Sequence, residues 1–482
     1  MIGLALAAAF SLGGCTESLC QAGTLQPFFA KLHAQGPGHG GRPVHILQIG
    51  DSHTAGDAFS GAWRDILQAR YGSGGRGVLP PGRPYQGYLT HGVTVAMSPG
   101  WKVSGDFGSV WSSPSPPLGL SAYSLTSESD GATMSISAEP KNMFDRFTLC
   151  ALARPGAGTL ALRAGTQTVS FDLGSPSERP ECRTIHLDQP ASSADVTASG
   201  GPVTITSWAT FRDAGGVALS NLGVVGSQLI HFARTDDQVI AEELRAYQPD
   251  LIVVAFGTNE GFSPKFSPFE YEIVLRTQIG RLRRLAGNVP ILILGAPDAL
   301  SRRTEMRANA AGQPVTFCPE IGSVAAPSTP TVPSAPSAPT PSAAPQGVIA
   351  GIMERLRATM TLTPPAGQPA PAAAPAPAPN YPPGAVVQPL PPPTAAPVAS
   401  SRAPLFPPPA LASVREVQRR VAASLNVAFW DWQARMGGAC TANRWVHANP
   451  PLMRGDYVHY TSAGGRELAN RLEADLDRAA TR

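Results

Sequence analysis

The chain has 482 residues, 50 of them proline and 49 glycine, with a formal net charge of +3. This length exceeds one ordinary domain core, and the Pro and Gly content indicates extensive loop, β-structure or linker, so we expect two folded units and a spacer. The Lys and Arg residues are dispersed rather than gathered into a basic stripe, which gives no support for nucleic-acid binding.

Residues 1–14 form an apolar run that is too short to span a bilayer and ends in small residues, which predicts a signal peptide and export. The tetrapeptide Leu12-Gly13-Gly14-Cys15 resembles the bacterial lipobox, which implies cleavage before Cys15 and lipidation of its thiol. The basic residues that usually open such a signal are missing. Either a misplaced start codon or an ordinary signal peptide would explain their absence. We therefore predict a lipid-anchored periplasmic or outer-membrane protein with an N-terminal tether at residues 15–40.

The chain has six cysteines, and five remain for disulfides if Cys15 is lipidated. A set this sparse is consistent with one or two disulfides in an oxidising compartment, and its spacing matches no metal site. Pairing Cys150 with Cys182, and Cys318 with Cys440, keeps each bridge within one folded unit and leaves Cys20 unpaired. The alternative of buried free thiols stays open at this point. We expect neither a metal nor a cofactor.

Apolar runs alternate with amphipathic stretches along much of the chain. Buried strands alternating with helices predict a mostly parallel sheet in a three-layer α/β/α fold of the flavodoxin type, built from residues 41–84, 216–322 and 411–482. The predicted strands lie at 44–49, 216–219, 251–255, 290–294 and 426–430, and the predicted helices at 59–71, 236–246, 271–285, 412–425 and from 462 onward.

Two segments interrupt this pattern. Residues 85–215 contain short alternating runs broken by Gly, Pro and Ser, which predict an inserted β-sandwich near the carboxyl edge of the sheet. Residues 323–410 contain 25 of the 50 prolines, mixed mainly with Ala, Ser and Thr, and this composition predicts a disordered linker. An apolar patch at 348–356 predicts a short helix within that linker.

Ser52 and Asn259 each follow a predicted strand, in Gly50-Asp51-Ser52-His53 and Gly257-Thr258-Asn259-Glu260. A turn after a parallel strand presents a serine hydroxyl at the carboxyl edge of the sheet, where sites lie. An asparagine amide at the same edge could donate to an oxyanion. The structural alternatives are a helix N-cap for Ser52 and an ordinary turn residue for Asn259.

Asp456 and His459 are three residues apart just before the last predicted helix. This spacing lets the carboxylate reach the imidazole N–H and orient it, as a general base requires. His447 is the other late candidate, but Arg444 stands at its equivalent position, so His459 is the better base. A structural turn histidine is the alternative. The conjunction of Ser52, Asn259 and the Asp456–His459 pair predicts a serine hydrolase.

These motifs resemble the SGNH or GDSL-type hydrolases, and Asn221-Leu222-Gly223-Val224-Val225-Gly226 fits the second block of that family. The resemblance implies Ser52 as nucleophile, His459 as base and Asp456 as its orienting acid. It also implies an oxyanion site made by Ser52, Gly226 and Asn259. His53 and Glu260 depart from the residues common in the family, and we expect neither to contact the catalytic set.

The insert, the lipobox and the tail ending in Asp456-Tyr457-Val458-His459 look most like bacterial envelope members of the family that act on O-acetylated glycans, including peptidoglycan O-acetylesterases. This resemblance implies an O-acetylated envelope glycan as substrate and a carbohydrate-binding role for the insert. Membrane contact is expected only through the N-terminal anchor, and no oligomeric state is indicated. A polysaccharide O-acetyltransferase with the same triad and an inactive glycan-binding lipoprotein are the alternatives.

Overall fold

The computed structural model describes residues 15–16, 18–35, 40–88, 90–308, 314–319 and 404–481. The strands are β1 Cys15–Thr16, β2 Leu19–Cys20, β3 Val44–Gly50, β4 Gly77–Leu79, β5 Val93–Met97, β6 Trp101–Gly105, β7 Tyr123–Ser127, β8 Thr133–Ala138, β9 Phe144–Ala153, β10 Thr159–Ala164, β11 Gln167–Asp172, β12 Arg179–Ala191, β13 Ser193–Ser199, β14 Val203–Phe211, β15 Val217–Gly223, β16 Leu251–Ala255, β17 Ile291–Leu294 and β18 Ala428–Trp430. The helices are α1 Gln26–His33, α2 Ser52–Ala55, α3 Ala58–Tyr71, α4 Leu229–Phe232, α5 Asp237–Tyr247, α6 Thr258–Gly261, α7 Pro268–Ala286, α8 Leu411–Leu425, α9 Trp432–Met436, α10 Thr441–Val446 and α11 Ser462–Ala480.

A central sheet has the strand order β1-β2-β18-β17-β16-β3-β15. The strands from β18 to β15 run parallel, whereas β2 pairs antiparallel with β18. Every residue of β3, β16 and β17 is buried, as expected for parallel strands that are covered on both faces.

Helices cover both faces of this sheet. Leu251 and Val253 of β16 lie in the same hydrophobic core as Trp63 of α3 and Leu472 of α11. Because side chains alternate along a strand, Ile252 points to the opposite face. The helices α5, α7 and α8 form a second group, in which α7 packs against both α5 and α8. The predicted three-layer α/β/α fold is thus confirmed.

The N-terminal segment is part of this fold, so its assignment as a tether at residues 15–40 is wrong. Strand β2 extends the central sheet beside β18. Leu25, Phe28, Phe29 and Leu32 are all buried in the main hydrophobic core. Their spacing gives α1 one apolar face, and burial of that face fixes the segment against the sheet.

The predicted β insert forms two antiparallel sheets between α3 and β15, with strand orders β11-β10-β13-β8-β5 and β12-β9-β14-β7-β6. Residues such as Leu125, Ile136, Phe147 and Leu162 from both sheets share one hydrophobic core, the arrangement of a sandwich. Strand β4 pairs with β14. The contribution to these sheets therefore starts at Gly77, before the expected boundary at residue 85.

Three disulfides join Cys15 to Cys20, Cys150 to Cys182 and Cys318 to Cys440. The prediction that Cys20 is unpaired is wrong, because the antiparallel pairing of β1 and β2 places Cys15 opposite Cys20. A sulfur in a disulfide cannot also form the thioether of a lipid anchor, so the Cys15–Cys20 bridge and lipidation of Cys15 are alternatives, and the lipidation stays a prediction. Within the described residues, no helix is long and apolar enough to cross a membrane.

The fold resumes earlier than the predicted end of the linker at residue 410. Leu405 and Phe406 are buried and form short antiparallel bridges with Cys318 and Ser301. Residues 404–410 therefore belong to the folded unit. The predicted helix at 348–356 and residues 323–403 lie outside the described residues.

Replacing residues 323–403 by a short Gly/Ser loop should leave the free energy of unfolding nearly unchanged. The hydrogen bond of 2.7 Å from the Cys318 N–H to the Leu405 carbonyl holds the two ends of the segment together, so a short loop closes the gap without strain. Extending the deletion through residue 410 should cost about 3 kcal/mol or more, since Leu405 and Phe406 leave the core. Urea unfolding of both variants checks this, and equal destabilisation by the two deletions would contradict it.

Candidate active site

Ser52 lies at the first position of α2, two residues after the end of strand β3. The Asp51 carboxylate caps this short helix by accepting a hydrogen bond of 3.0 Å from the His53 N–H. The cap leaves the Ser52 N–H in the first turn, where helical N–H groups have no intrahelical acceptor. The half-buried Ser52 side chain lines a cleft of about 300 Å³.

Asp456, His459 and Ser52 form a continuous hydrogen-bond relay. The Asp456 Oδ2 lies 2.8 Å from His459 Nδ1, and His459 Nε2 lies 2.9 Å from Ser52 Oγ. The other carboxylate oxygen of Asp456 accepts hydrogen bonds of 2.9 Å from the N–H groups of Val458 and His459. These bonds set the conformation of the loop before α11 and hold the imidazole toward the serine.

The environment of Asp456 keeps its carboxyl group ionised. Partial burial acts to raise the pKa of Asp456, but the hydrogen bonds from His459 and the Val458 N–H outweigh it and hold that pKa well below its usual range. An ionised carboxylate stabilises the imidazolium that forms when His459 accepts a proton. By contrast, His447 faces the Asn443 carbonyl through its Nδ1, at 2.8 Å.

The turn that carries Gly226 packs against the turn that carries Ser52. The Val224 N–H donates a 3.0 Å hydrogen bond to the Gly50 carbonyl, so β15 and β3 stay paired up to this point. Gly226 has a φ of 80°, and a Cβ there would lie 2.9 Å from the Phe107 ring of the insert. Glycine is therefore required at this position, both for its backbone conformation and for the close approach of Phe107.

Asn259 is the second residue of the short helix α6 that follows β16, and its side chain is hydrogen-bonded to the Gly226 turn. Asn259 Nδ2 donates to the Ser227 carbonyl at 2.8 Å, which leaves its second amide hydrogen for another acceptor. Gln228 Nε2 in turn donates to the Asn259 carbonyl at 3.1 Å. The structure thus joins the two predicted oxyanion turns to each other through reciprocal hydrogen bonds.

Glu260 and His53 form hydrogen bonds to residues beside the predicted catalytic set, and these bonds do not contradict the prediction that neither residue contacts the set itself. Glu260 is buried, and its Oε1 accepts a 2.8 Å hydrogen bond from the Leu229 N–H, which fixes the segment between Gly226 and α4. His53 Nε2 lies 3.0 Å from the Val458 carbonyl, next to His459. For His53, the departure from the family residue indicates that a buried polar side chain needs a partner, but it does not identify that partner.

The cleft beside Ser52 and His459 combines small residues with a few larger side chains. Tyr85 reaches it from the chain that leads into the insert, and Val225 reaches it from the Gly226 turn. Arg454 lies on the His459 loop and also lines the cleft. The insert and the α/β unit therefore both contribute to the walls around the serine.

Replacing Glu260 by Gln should stabilise the protein increasingly as the pH rises. Burial raises the pKa of Glu260 from 4.5 to about 7, so the folded state holds a proton that the unfolded chain has lost between these values. The wild type therefore loses stability across this range, on the order of 3 kcal/mol at most. Glu260→Gln keeps the acceptor for the Leu229 N–H and does not ionise.

Urea unfolding at about pH 5 and about pH 8 measures the effect of this substitution. The advantage of Glu260→Gln over the wild type should be larger at the higher pH. Glu260→Ala is the control, because it removes the acceptor and should destabilise the protein at both pH values. A difference between wild type and Glu260→Gln that does not change with pH would refute this assignment.

Comparison with known proteins relates the chain to solved structures. No protein-family model matches the sequence, and no curated protein matches it. The structure of a peptidoglycan O-acetylesterase is similar to this chain, with a TM-score of 0.64 and 20% sequence identity. The alignment covers 96% of this chain and 99% of that chain, so it includes the inserted sheets.

Two other structures are more distantly similar. A family two carbohydrate esterase from Cellvibrio japonicus has a TM-score of 0.16 at 15% identity, covering 42% of this chain and 79% of that chain. A proposed GDSL-like lipase from Parabacteroides merdae has a TM-score of 0.27 at 12% identity, covering 55% and 73%. These scores are too low to bear on the fold. The first comparison confirms the expected fold: this chain shares the architecture of a peptidoglycan O-acetylesterase structure.

Proposed function

We propose that this protein is an exported serine esterase of the SGNH type that removes O-acetyl groups from an envelope polysaccharide, with peptidoglycan as the preferred candidate. The observation that carries the proposal is the Asp456–His459–Ser52 relay, in which both links are within hydrogen-bond distance. A serine needs such a base to become a nucleophile at neutral pH. An inactive glycan-binding protein would have no use for the complete relay.

In the proposed mechanism, His459 Nε2 accepts the Ser52 hydroxyl proton while Oγ attacks the acetyl carbonyl carbon. The oxyanion accepts hydrogen bonds from the N–H groups of Ser52 and Gly226 and from the Asn259 side-chain amide. The C–O bond to the sugar then breaks, and His459 protonates the leaving sugar oxygen. Water, deprotonated by the same imidazole, attacks the acetyl-Ser52 ester and releases acetate.

The cleft supports a short acyl group carried on a polar substrate. It holds about 300 Å³ beside Ser52 and is lined by Arg454 and Tyr85 as well as by small residues. An acyl chain of eight carbons would need a longer apolar groove, and the described residues of the cleft form none. The fold shared with a peptidoglycan O-acetylesterase supports the same substrate class.

The disulfides support export as part of the proposal. Three cystines join cysteines within the described residues. Such bonds form and persist in oxidising compartments such as the bacterial periplasm. Together with the signal-like apolar run at residues 1–14, they favour a periplasmic enzyme, in which the Cys15–Cys20 bridge and a lipid on Cys15 are alternatives.

Ser52→Ala and His459→Ala should each remove nearly all hydrolysis of p-nitrophenyl acetate without loss of folding. The two residues act as one proton-transfer unit, so the double variant should be no worse than either single one. Asn259→Ala should lower kcat on the order of a hundredfold with little change in KM, because the oxyanion exists only after attack. Near wild-type turnover by Ser52→Ala would rule out the mechanism, and an effect of Asn259→Ala on KM alone would make it a substrate-binding residue.

The purified enzyme should release acetate from O-acetylated peptidoglycan, and kcat/KM on p-nitrophenyl esters should fall from acetyl to octanoyl. A lipase would gain roughly 0.8 kcal/mol of binding for each buried methylene and show the opposite order. Ser52→Ala is the control for background acetate. A rise of kcat/KM with chain length would overturn the carbohydrate-esterase proposal, and acetylated glycan without free acetate would indicate the transferase alternative.

A further inference from the structure

His53 is buried between the nucleophile turn and the loop that carries the catalytic pair. Its side chain is 2% exposed, with Nδ1 3.2 Å from Asp51 Oδ1 and Nε2 3.0 Å from the Val458 carbonyl oxygen. A carbonyl oxygen can only accept, so Nε2 must carry a hydrogen to make the second bond. The hydrogen bond between His53 Nδ1 and the Asp51 carboxyl group requires one further proton. Either Nδ1 or the carboxyl group can carry it.

The surroundings of Asp51 place this proton on the imidazole. The Asp51 side chain is 1% exposed, and its Oδ1 already accepts the hydrogen bond from the His53 backbone N–H. Among the described residues, His53 is the one group that forms an ion pair with Asp51. A buried carboxylate without a cation is costly, and a protonated imidazole supplies that cation while donating through both ring nitrogens. The Thr258 hydroxyl, at 3.4 Å from Nδ1, is a longer contact.

We propose that His53 is a buried imidazolium that positions the catalytic base by clamping the Val458 carbonyl to the Asp51 carboxylate. Val458 precedes His459 and Ser52 precedes His53 in the chain, so the clamp joins the immediate neighbours of the two residues that exchange the proton. The centroid of the His53 ring lies 5.5 Å from the centroid of the His459 ring. The kinetic part of this inference rests on the proposed esterase function, whereas the protonation state does not.

The charged and titratable groups around His53 favour the imidazolium. Burial acts to lower the pKa of His53, but the hydrogen bond and charge of Asp51, the Val458 carbonyl and the charge of Asp456 together raise it above 6.5. His459 and Tyr460 are the other titratable side chains that face the ring, at centroid distances of 5.5 and 5.3 Å. With a raised pKa, the clamp is complete below 6.5 and is lost as the pH rises through the folded-state value.

Nitrogen-15 NMR of the labelled wild-type protein tests the protonation state directly. Both ring nitrogens of His53, assigned by their absence in His53→Gln, should titrate with a midpoint above 6.5 and should show the shifts of protonated imidazole nitrogens below it. A ring that is already neutral below pH 6.5, with an unprotonated Nδ1, would overturn the proposal. This measurement needs no activity, so it stays decisive even if the esterase function proves wrong.

Kinetics on p-nitrophenyl acetate test the positioning role. His53→Leu has no donor and should lower kcat by roughly 10- to 100-fold with KM within about twofold, because a misplaced base slows proton transfer without weakening binding. His53→Gln keeps a neutral donor that can reach Val458, so it should recover part of kcat. In the wild type, deprotonation of His53 should lower kcat at high pH. The kcat of His53→Gln should not show this decrease.

His186→Leu is the matched control, since His186 is an exposed histidine of the insert, and it should match the wild type. Folding of each variant is checked by its thermal unfolding midpoint. A His53→Leu kcat within twofold of the wild type, or an effect confined to KM, would overturn the positioning role. If the wild type itself shows no Ser52-dependent hydrolysis, the esterase proposal fails and the NMR result alone decides the state of His53.

Discussion

The parallel pairing of β16, β3 and β15 is the constraint on which the candidate site depends. These strands are neighbours in the sheet, and their register sets Gly50 opposite both Gly223 and Ala255. All three strands therefore end at one level, and the turns that follow them meet. Ser52 follows β3, the middle strand of these three, and the other two predicted oxyanion donors, Gly226 and Asn259, follow the strands on either side. A register shift in either pair would separate the donors from the nucleophile.

The acid–base pair has no such support from the sheet, because it lies on a loop. Local geometry replaces it: Tyr457 has a φ of 61°, a conformation that costs a non-glycine residue about 1–2 kcal/mol. The Asp456 carboxylate compensates by accepting three N–H groups, two from the backbone and one from His459. The Tyr457 carbonyl also accepts a 3.1 Å hydrogen bond from the Leu300 N–H, which ties the loop to the chain after β17. The loop conformation is thus fixed from both sides.

Much of this arrangement was predictable from sequence, because its signals are local. The apolar runs of β3, β15, β16 and β17 and the turn residues after them predicted both the sheet and the edge where Ser52 and Asn259 lie. The role of α1 was missed although Leu25, Phe28, Phe29 and Leu32 have a helical spacing. A short amphipathic pattern next to a signal-like segment does not reveal which surface it covers. The partners of His53 and Glu260 depend on contacts between turns distant in sequence, which no local pattern contains.

The insert is bound to the α/β unit through a buried carboxylate rather than through apolar packing alone. Glu243 of α5 is 0% exposed, and its two oxygens accept hydrogen bonds from Thr206, Ser207 and the Leu120 N–H of the insert. An uncompensated buried carboxylate costs several kcal/mol, so removal of the insert would leave α5 with a charge that must be solvated or protonated.

The insert also contacts the candidate site directly, where Phe107 packs against Gly226. The Phe107 ring stacks on His231 at a centroid distance of 4.4 Å, and His231 in turn contacts the Gln228 N–H through its Nδ1 at 3.0 Å. Gln228 holds the Asn259 carbonyl, so one chain of contacts runs from the insert to both oxyanion turns. The insert is therefore part of the structure that positions the site. A displacement of the insert relative to the α/β unit would first move the Gly226 turn.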